Sequence, residues 1–286
     1  MVTLKDYEGG KTAWCPGCGN FQILEAVKQA LVKLDLEPHQ ILFVSGIGQS
    51  SKLPHYLQCN LFNGLHGRSL PVATGAKIAN HELNVIVVGG DGDGYGEGGN
   101  HLMHAIRRNF DMTYIVHNNQ VYGLTQGQAS PTSDKGFVGK TTPRGVISQP
   151  LNPMTLAIAL GATFVARGFS ARTPHLTNLI VEGIKHKGFA LIDVLQPCVS
   201  FNYQNTYSWY NSRVYTLEEE ESYDSGNQLM AFEKAQEWGE RIPIGVIYRS
   251  ERITYESQIS AFKFGPLVQQ AHDSLKIAGL FEEFIP

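Results

Sequence analysis

The sequence is sparing with cysteine, four in 286 residues, and with charge, 23 Lys and Arg against 26 Asp and Glu for a net charge of -3. Charge so small and so mixed leaves no basic face for nucleic acid. The one sustained run, Glu218 to Glu221, suits a solvated loop or helix start. No apolar run reaches the roughly eighteen residues that cross a bilayer, and the opening MVTLKDYEGGKTAWC contains no signal-peptide core. The expectation is a cytoplasmic protein with no membrane and no nucleic-acid partner. In that compartment four cysteines do not form a disulfide framework and read instead as ligands, redox groups or core. Repeats and low-complexity tracts are also missing. What remains is an ordinary globular composition, in a chain long enough to bury a sizeable core.

Five apolar runs read as buried strands: ILFVSG, VIVVGG, TYIVHNN, ATFVAR and FALIDVLQ. Helix-like segments alternate with them (FQILEAVKQALVKL, VATGAKIAN, HLMHAIRRN, MTLAIAL, LTNLIVEGIKH), which predicts an α/β fold with one doubly wound parallel sheet. In such sheets ligands sit beyond the carboxyl ends of the strands. The irregular stretch from Asp134 to Pro153 is long enough to be a functional lid or a partner surface. After Ser200 the alternation breaks down. Ser225 is expected to cap a helix with Gln228 in the capping-box position, and the apolar residues of the tail, Phe262, Phe264, Leu280 and Phe284, suggest no sheet of their own. The expected organisation is a cofactor-binding domain over residues 1–215 and a C-terminal extension over 216–286 suited to contact between subunits.

The most informative stretch runs from Gly90 to Asn119. Gly90-Asp91-Gly92 closes one apolar strand, and twenty-five residues later Asn118-Asn119 closes the next. A carboxylate at Asp91 and an amide oxygen at Asn119, held at neighbouring carboxyl ends, are hard oxygen ligands suited to Mg²⁺, which keeps positions for phosphate oxygens and water. The glycine-rich loop Gly92 to Gly99 lets backbone N–H groups approach a diphosphate, and a helix opening near Asn100 turns its positive end the same way. Gly94, Gly96 and Gly99 also satisfy a dinucleotide fingerprint, but the following strand ends in His117-Asn118-Asn119 without the carboxylate that would hold a ribose. A second polar loop, Ser45 to Ser51, follows the first strand and should lie beside the diphosphate loop.

Cysteine is concentrated near the start, in Trp14-Cys15-Pro16-Gly17-Cys18-Gly19-Asn20, with Cys59 and Cys198 further on. A C-x2-C pair suits a dithiol, a zinc site or an iron–sulfur cluster. No strand precedes the motif, which argues against a thioredoxin-like dithiol. Cys198 follows the last strand, at a carboxyl end. His101 and His104 lie three apart on a helix, but without a third ligand motif they read as packing groups.

The spacing GDG-x25-NN resembles the diphosphate signature of thiamine diphosphate enzymes. By that resemblance Asp91 and Asn119 ligate Mg²⁺ together with the backbone carbonyl of Val121. WCPGCGN, SGIG with LHGR, and GDGDG through HNNQVYGLT to SPTS together resemble the β subunit of 2-oxoacid:ferredoxin oxidoreductases, over roughly residues 10 to 215. The resemblance implies cofactor contacts from Gly46, Ile47, Gly48, Gln49, Ser50, His66, Gly92, Asp93 and Asn119, with Arg68 in the same turn as His66. It also implies a [4Fe-4S] cluster on Cys15, Cys18 and Cys198, and a partner α subunit that completes the site. The implied reaction is oxidative decarboxylation of a 2-oxo acid with coenzyme A, with electrons passed to ferredoxin. A non-redox thiamine diphosphate decarboxylase or transketolase-like protein is the alternative, and a zinc-binding module a further one. Two positions depart from the family: Gln49 stands where a cysteine is common, and Gln126 stands in place of a lysine near the substrate. Cys59, the one cysteine left, is therefore the expected fourth cluster ligand. The loss of the lysine leaves the choice of 2-oxo acid open.

Overall fold

The computed structural model describes residues 1–271 and residue 279. In chain order its main elements are α1 (Asn20–Lys33), β1 (Ile41–Ser45), β2 (Asn60–Asn63), α2 (Ser69–Ala79), β3 (Asn84–Gly90), α3 (Gly99–Arg108) and β4 (Met112–Asn118). A small hairpin of β5 (Val121–Tyr122) and β6 (Gln128–Ala129) follows, then α4 (Pro153–Ala159), β7 (Phe164–Phe169), α5 (Thr173–Lys185), β8 (Phe189–Leu195), α6 (Tyr207–Asn211), β9 (Val214–Thr216), α7 (Gln228–Gln236) and β10 (Ile242–Arg249). The five expected apolar strands are β1, β3, β4, β7 and β8. They form a parallel block within an eight-stranded sheet of order β2-β1-β3-β4-β8-β7-β10-β9.

Alternation along each strand distributes the core. On β3, Ile86 and Val88 join the cluster under α1 and α5, whereas Val85 and Val87 join the one under α2, α3, α4 and α7. On β8, Ala190, Ile192 and Val194 face the first layer and Phe189 and Leu191 the second. Helix α1 buries Ile23, Leu24, Val27, Ala30 and Leu31, the i, i+3, i+4 stripe of a helix lying on a sheet. Each such side chain contributes roughly 1.5–3 kcal/mol on burial. Since α1 begins two residues after Cys18, this stripe also anchors the cysteine loop.

The tail differs from expectation. Residues 214–216 cross the anticipated boundary at 215 as an edge strand, and β10 adds to the main sheet antiparallel to β7. Pro243 and the bulge between Val246 and Tyr248 interrupt the apolar alternation of β10, which is why the sequence conceals it. Helix α7 is capped by Asn227, whose side chain accepts from Leu229 N and Met230 N, and not by Ser225. After β10 the chain returns across the α3 end of the sheet: Asn109 Nδ2 donates to Arg252 O, Asp111 N donates to Glu256 Oε1, and Phe262 stacks on His81. Leu280 and Phe284 lie outside the described residues. No helix among the described residues is long and apolar enough to cross a membrane.

Candidate functional site at the carboxyl edge of the sheet

Asp93 joins the loops that the sequence placed at neighbouring strand ends. It is 2% exposed, and its Oδ1 accepts from Ile47 N at 2.9 Å and Gly67 N at 2.8 Å, while His66 Nδ1 lies 2.9 Å away. One carboxylate thereby ties the loop after β1 and the turn before α2 to the loop after β3. Gly46 must be glycine, because a Cβ there would stand 2.1 Å from Asp93 Oδ2. Burial pushes the Asp93 carboxyl up, and the two amides and His66 pull it back. The loop over Gly92–Glu97 is a wide π-helical turn rather than an open loop, a rare conformation frequent at functional sites. At Gly92 a Cβ would enter the Tyr122 ring. Arg68 reaches the carbonyls of His66 and Glu97 and so braces the turn.

Asp91, at the end of β3, is 1% exposed and faces a screen of hydroxyls. Ser130 Oγ and Thr132 Oγ1 both donate to its Oδ2, Thr132 at 2.6 Å. Thr132 Oγ1 also lies 2.9 Å from Asn118 Oδ1, while Asn118 Nδ2 donates to the buried Asp193, which accepts from Tyr95 as well. Burial raises the Asp91 carboxyl to about 6, the two hydroxyls oppose the shift, and Asp193 adds to it. Asn119 and Val121 reach the same cleft because Gln120 between them adopts φ 57°, with its side chain drawn inward to Thr132 O and Tyr210 OH. Asn119 Oδ1 accepts from Val121 N, and Asn202 Nδ2 fixes the Asn119 carbonyl.

The result is a cleft of about 90 Å³ whose walls include Ile47, Gly48, Gln49, Ser50, His66, Asp91, Gly92, Asp93, Asn119 and Val121. Of the residues expected at the cofactor and Mg²⁺, Gly46 alone is not on the wall; it packs behind, on Asp93. A carboxylate, an amide oxygen and a main-chain carbonyl form a donor set that fits Mg²⁺. The cleft is far below the roughly 300–1,000 Å³ of a complete ligand site. Sequence reading had passed over Ser130, Thr132, Asp193 and Asn202. The hydroxyls of SPTS were visible as loop residues, but nothing in the sequence indicated that the loop returns to Asp91. At Gln126, Lys140 Nζ donates to the side-chain oxygen at 3.1 Å, so a cation stands next to that position.

Three cysteines share one neighbourhood. Cys18 N donates to Cys15 O, Gly19 N donates to Pro197 O, and Gln196 Nε2 lies 3.5 Å from Cys18 Sγ, which docks the C-x2-C turn against the turn carrying Cys198. Burial pushes the Cys18 thiol up to about 11, with Cys198 and Cys15 adding to the shift. Among the described residues no group of three His, Cys, Asp or Glu is placed to hold a metal ion, the cysteine trio and His101 with His104 included. Cys59 is elsewhere. It precedes Asn60, which pairs with Leu42 near the start of β1, and so sits at the amino edge of the sheet beside Tyr7. Burial alone pushes its thiol up to about 12. The expectation that Cys59 joins the other three is not met in this arrangement: a parallel crossover from β1 to β2 must return the chain to the amino edge, and it carries Cys59 with it.

Residues 44–194 match the family described as thiamine pyrophosphate enzyme, C-terminal TPP binding domain, and residues 198–263 match the family of C-terminal regions of the pyruvate ferredoxin oxidoreductase beta chain. The 2-oxoacid:ferredoxin oxidoreductase subunit beta of Saccharolobus solfataricus is 47% identical over 93% of this chain and 92% of its own length. The chain belongs to this β-subunit family. The 2-oxoglutarate oxidoreductase subunit KorB of Mycobacterium tuberculosis is also 47% identical, over 66% of this chain and 51% of its own length. Among solved structures, the 2-oxoglutarate:ferredoxin oxidoreductase from Magnetococcus marinus with 2-oxoglutarate, coenzyme A and succinyl-CoA bound superposes with a TM-score of 0.90, covering 98% of this chain and 96% of that one at 36% identity. These relatives favour the oxidoreductase reading of the family over a non-redox thiamine enzyme or a zinc module.

Proposed function

We propose that this β subunit holds the diphosphate end of thiamine diphosphate for the CoA-dependent oxidation of a 2-oxo acid in the cytoplasm. The balanced reaction turns the 2-oxo acid anion and CoA-SH into acyl-CoA, CO₂, a proton and two electrons, which leave singly through a [4Fe-4S] cluster to ferredoxin. The observation that carries the reading is the cleft in which Asp91, Asn119 and Val121 converge beneath the loops tied by Asp93. Asp91, Asn119 and the Val121 carbonyl would hold Mg²⁺, and the amides of the Gly92–Glu97 turn would approach the diphosphate. When bound, thiamine diphosphate supplies the electron sink for decarboxylation. Cys15, Cys18 and Cys198 would carry the cluster, and Lys140 at Gln126 would favour the anionic substrate.

The small cleft supports a partner α subunit that encloses the rest of the cofactor. Ile253, Phe264 and Val268, exposed at 71%, 83% and 64%, give the C-terminal extension an apolar surface for that contact. The test is acceptor reduction by the complex purified with its partner, across a panel of 2-oxo acids with CoA. Ferredoxin reduction dependent on both substrates is expected from the complex and none from the single chain. A complex inert toward every 2-oxo acid refutes the function, and turnover by the chain alone refutes the need for a partner.

A further inference from the structure

We propose that the cavity between the sheet and helices α4 and α7 is a second ligand site, for an α-amino acid whose carboxylate meets Arg167 and whose ammonium group meets Asp193. The cavity holds about 340 Å³ and shares no wall residue with the cofactor cleft. That volume lies within the roughly 300–1,000 Å³ of small-molecule sites. Alternation explains its floor. Val116 on β4, Leu191 on β8 and Val165 on β7 pack in the cluster under α4 and α7, so Asn118, Asp193 and Arg167, two residues further along each strand, face the same way. These three are buried, at 4%, 1% and 3% exposure, whereas Phe232, Gln236 and Trp238 on the α7 side are exposed and form the mouth.

Arg167 is the residue that calls for a ligand. A guanidinium carries five N–H donors, yet its hydrogen bonds among the described residues are two long ones, to Pro243 O at 3.5 Å and Ala235 O at 3.4 Å. Asp193 lies beside it in register on β8, but the ion pairs of the described residues include neither of them. The Asp193 oxygens accept instead from Tyr95 OH at 2.7 Å and from Asn118 Nδ2 at 3.1 and 3.2 Å. A carboxylate offers about four acceptor positions, so one remains for an N–H of a ligand. Opposite buried charges that stand side by side without pairing cost free energy. A molecule with a carboxylate and an ammonium on one carbon would bridge them. A simple anion would face Asp193 and Asp134, both on the wall, and a simple cation would face Arg167. Asp134 is already engaged by Gln120, Trp238 and Asn205, which leaves Asp193 for the ammonium.

The experiment titrates the complex of this chain with its partner by calorimetry against the standard α-amino acids. Each one that binds is compared with its deaminated carboxylic acid and its decarboxylated amine. At least one amino acid should bind saturably, one equivalent per β chain, with both analogues weaker by roughly tenfold or more. Arg167→Met should weaken binding by the same factor. So should Asp193→Asn, which is nearly isosteric and keeps an oxygen for Tyr95, and thermal unfolding is checked for both. Saturating thiamine diphosphate with Mg²⁺ should not displace the amino acid. Failure of every amino acid to bind would show a cavity filled by solvent and overturn the proposal. It is equally overturned by a carboxylic acid that binds as well as its amino acid, by wild-type affinity in folded Arg167→Met or Asp193→Asn, or by displacement with thiamine diphosphate.

Discussion

Replacing Asp93 tests whether one buried carboxylate assembles the cofactor cleft. Its Oδ1 accepts two main-chain N–H bonds, from Ile47 and Gly67, each in a different loop. Hydrogen bonds to a charged acceptor contribute about 1.5–3 kcal/mol each. Asp93→Ala should therefore cost on the order of 3–6 kcal/mol, partly because two buried amides lose their acceptor. At roughly 2–4 °C per kcal/mol for a domain of this size, the melting temperature should fall by about 6–24 °C. Asp93→Asn separates geometry from charge. Its amide oxygen can take the same two N–H bonds, and because burial already disfavours the Asp93 anion, loss of the charge should cost about 1 kcal/mol, little more than one neutral bond. Thermal unfolding and calorimetry of thiamine diphosphate with Mg²⁺ should give Asn close to wild type and Ala with both stability and cofactor affinity reduced. Equal losses in Asn and Ala would refute the geometric argument, and an Ala variant as stable as the wild type would refute the joining role altogether.

Asp91→Ala should abolish Mg²⁺-dependent thiamine diphosphate binding while the fold holds, since Thr132 Oγ1 keeps Asn118 Oδ1 as an acceptor and Ser130 Oγ lies near Ser133 Oγ; unchanged cofactor affinity in calorimetry counts against the assignment. His117, fully buried with Nδ1 2.8 Å from Asn20 Oδ1, is held neutral, its imidazole pushed down to about 3 by burial. The unfolded chain takes up this proton near pH 6.5, so the stability that neutral His117 gives is complete above that pH and lost as pH falls toward 3, at about 1.4 kcal/mol per unit. His117→Gln should flatten the acid limb of stability by one proton in denaturant titrations, and an unchanged slope would show that His117 does not contribute to it.

Much of this protein was settled by local pattern. The five apolar runs could only be buried strands, and their alternation with amphipathic helices gave the parallel block. The placement of Asp91 and Asn119 followed, because each closes such a run and parallel strands end at the same edge. Motif spacing also pointed to the family. Contacts between residues distant in sequence were not legible. Ser130 and Thr132 meet Asp91 across about forty residues of chain, and Asp193 is linked to the same site through Asn118 across seventy-five. Strand β10 escaped because Pro243 and a bulge break its period, although it still pairs with β7 and β9. Cys59 shows most clearly what tertiary structure decides. Only ten residues separate it from Gln49, yet the right-handed logic of a parallel sheet sends the chain back between them, and two positions close in sequence end at opposite edges of the fold.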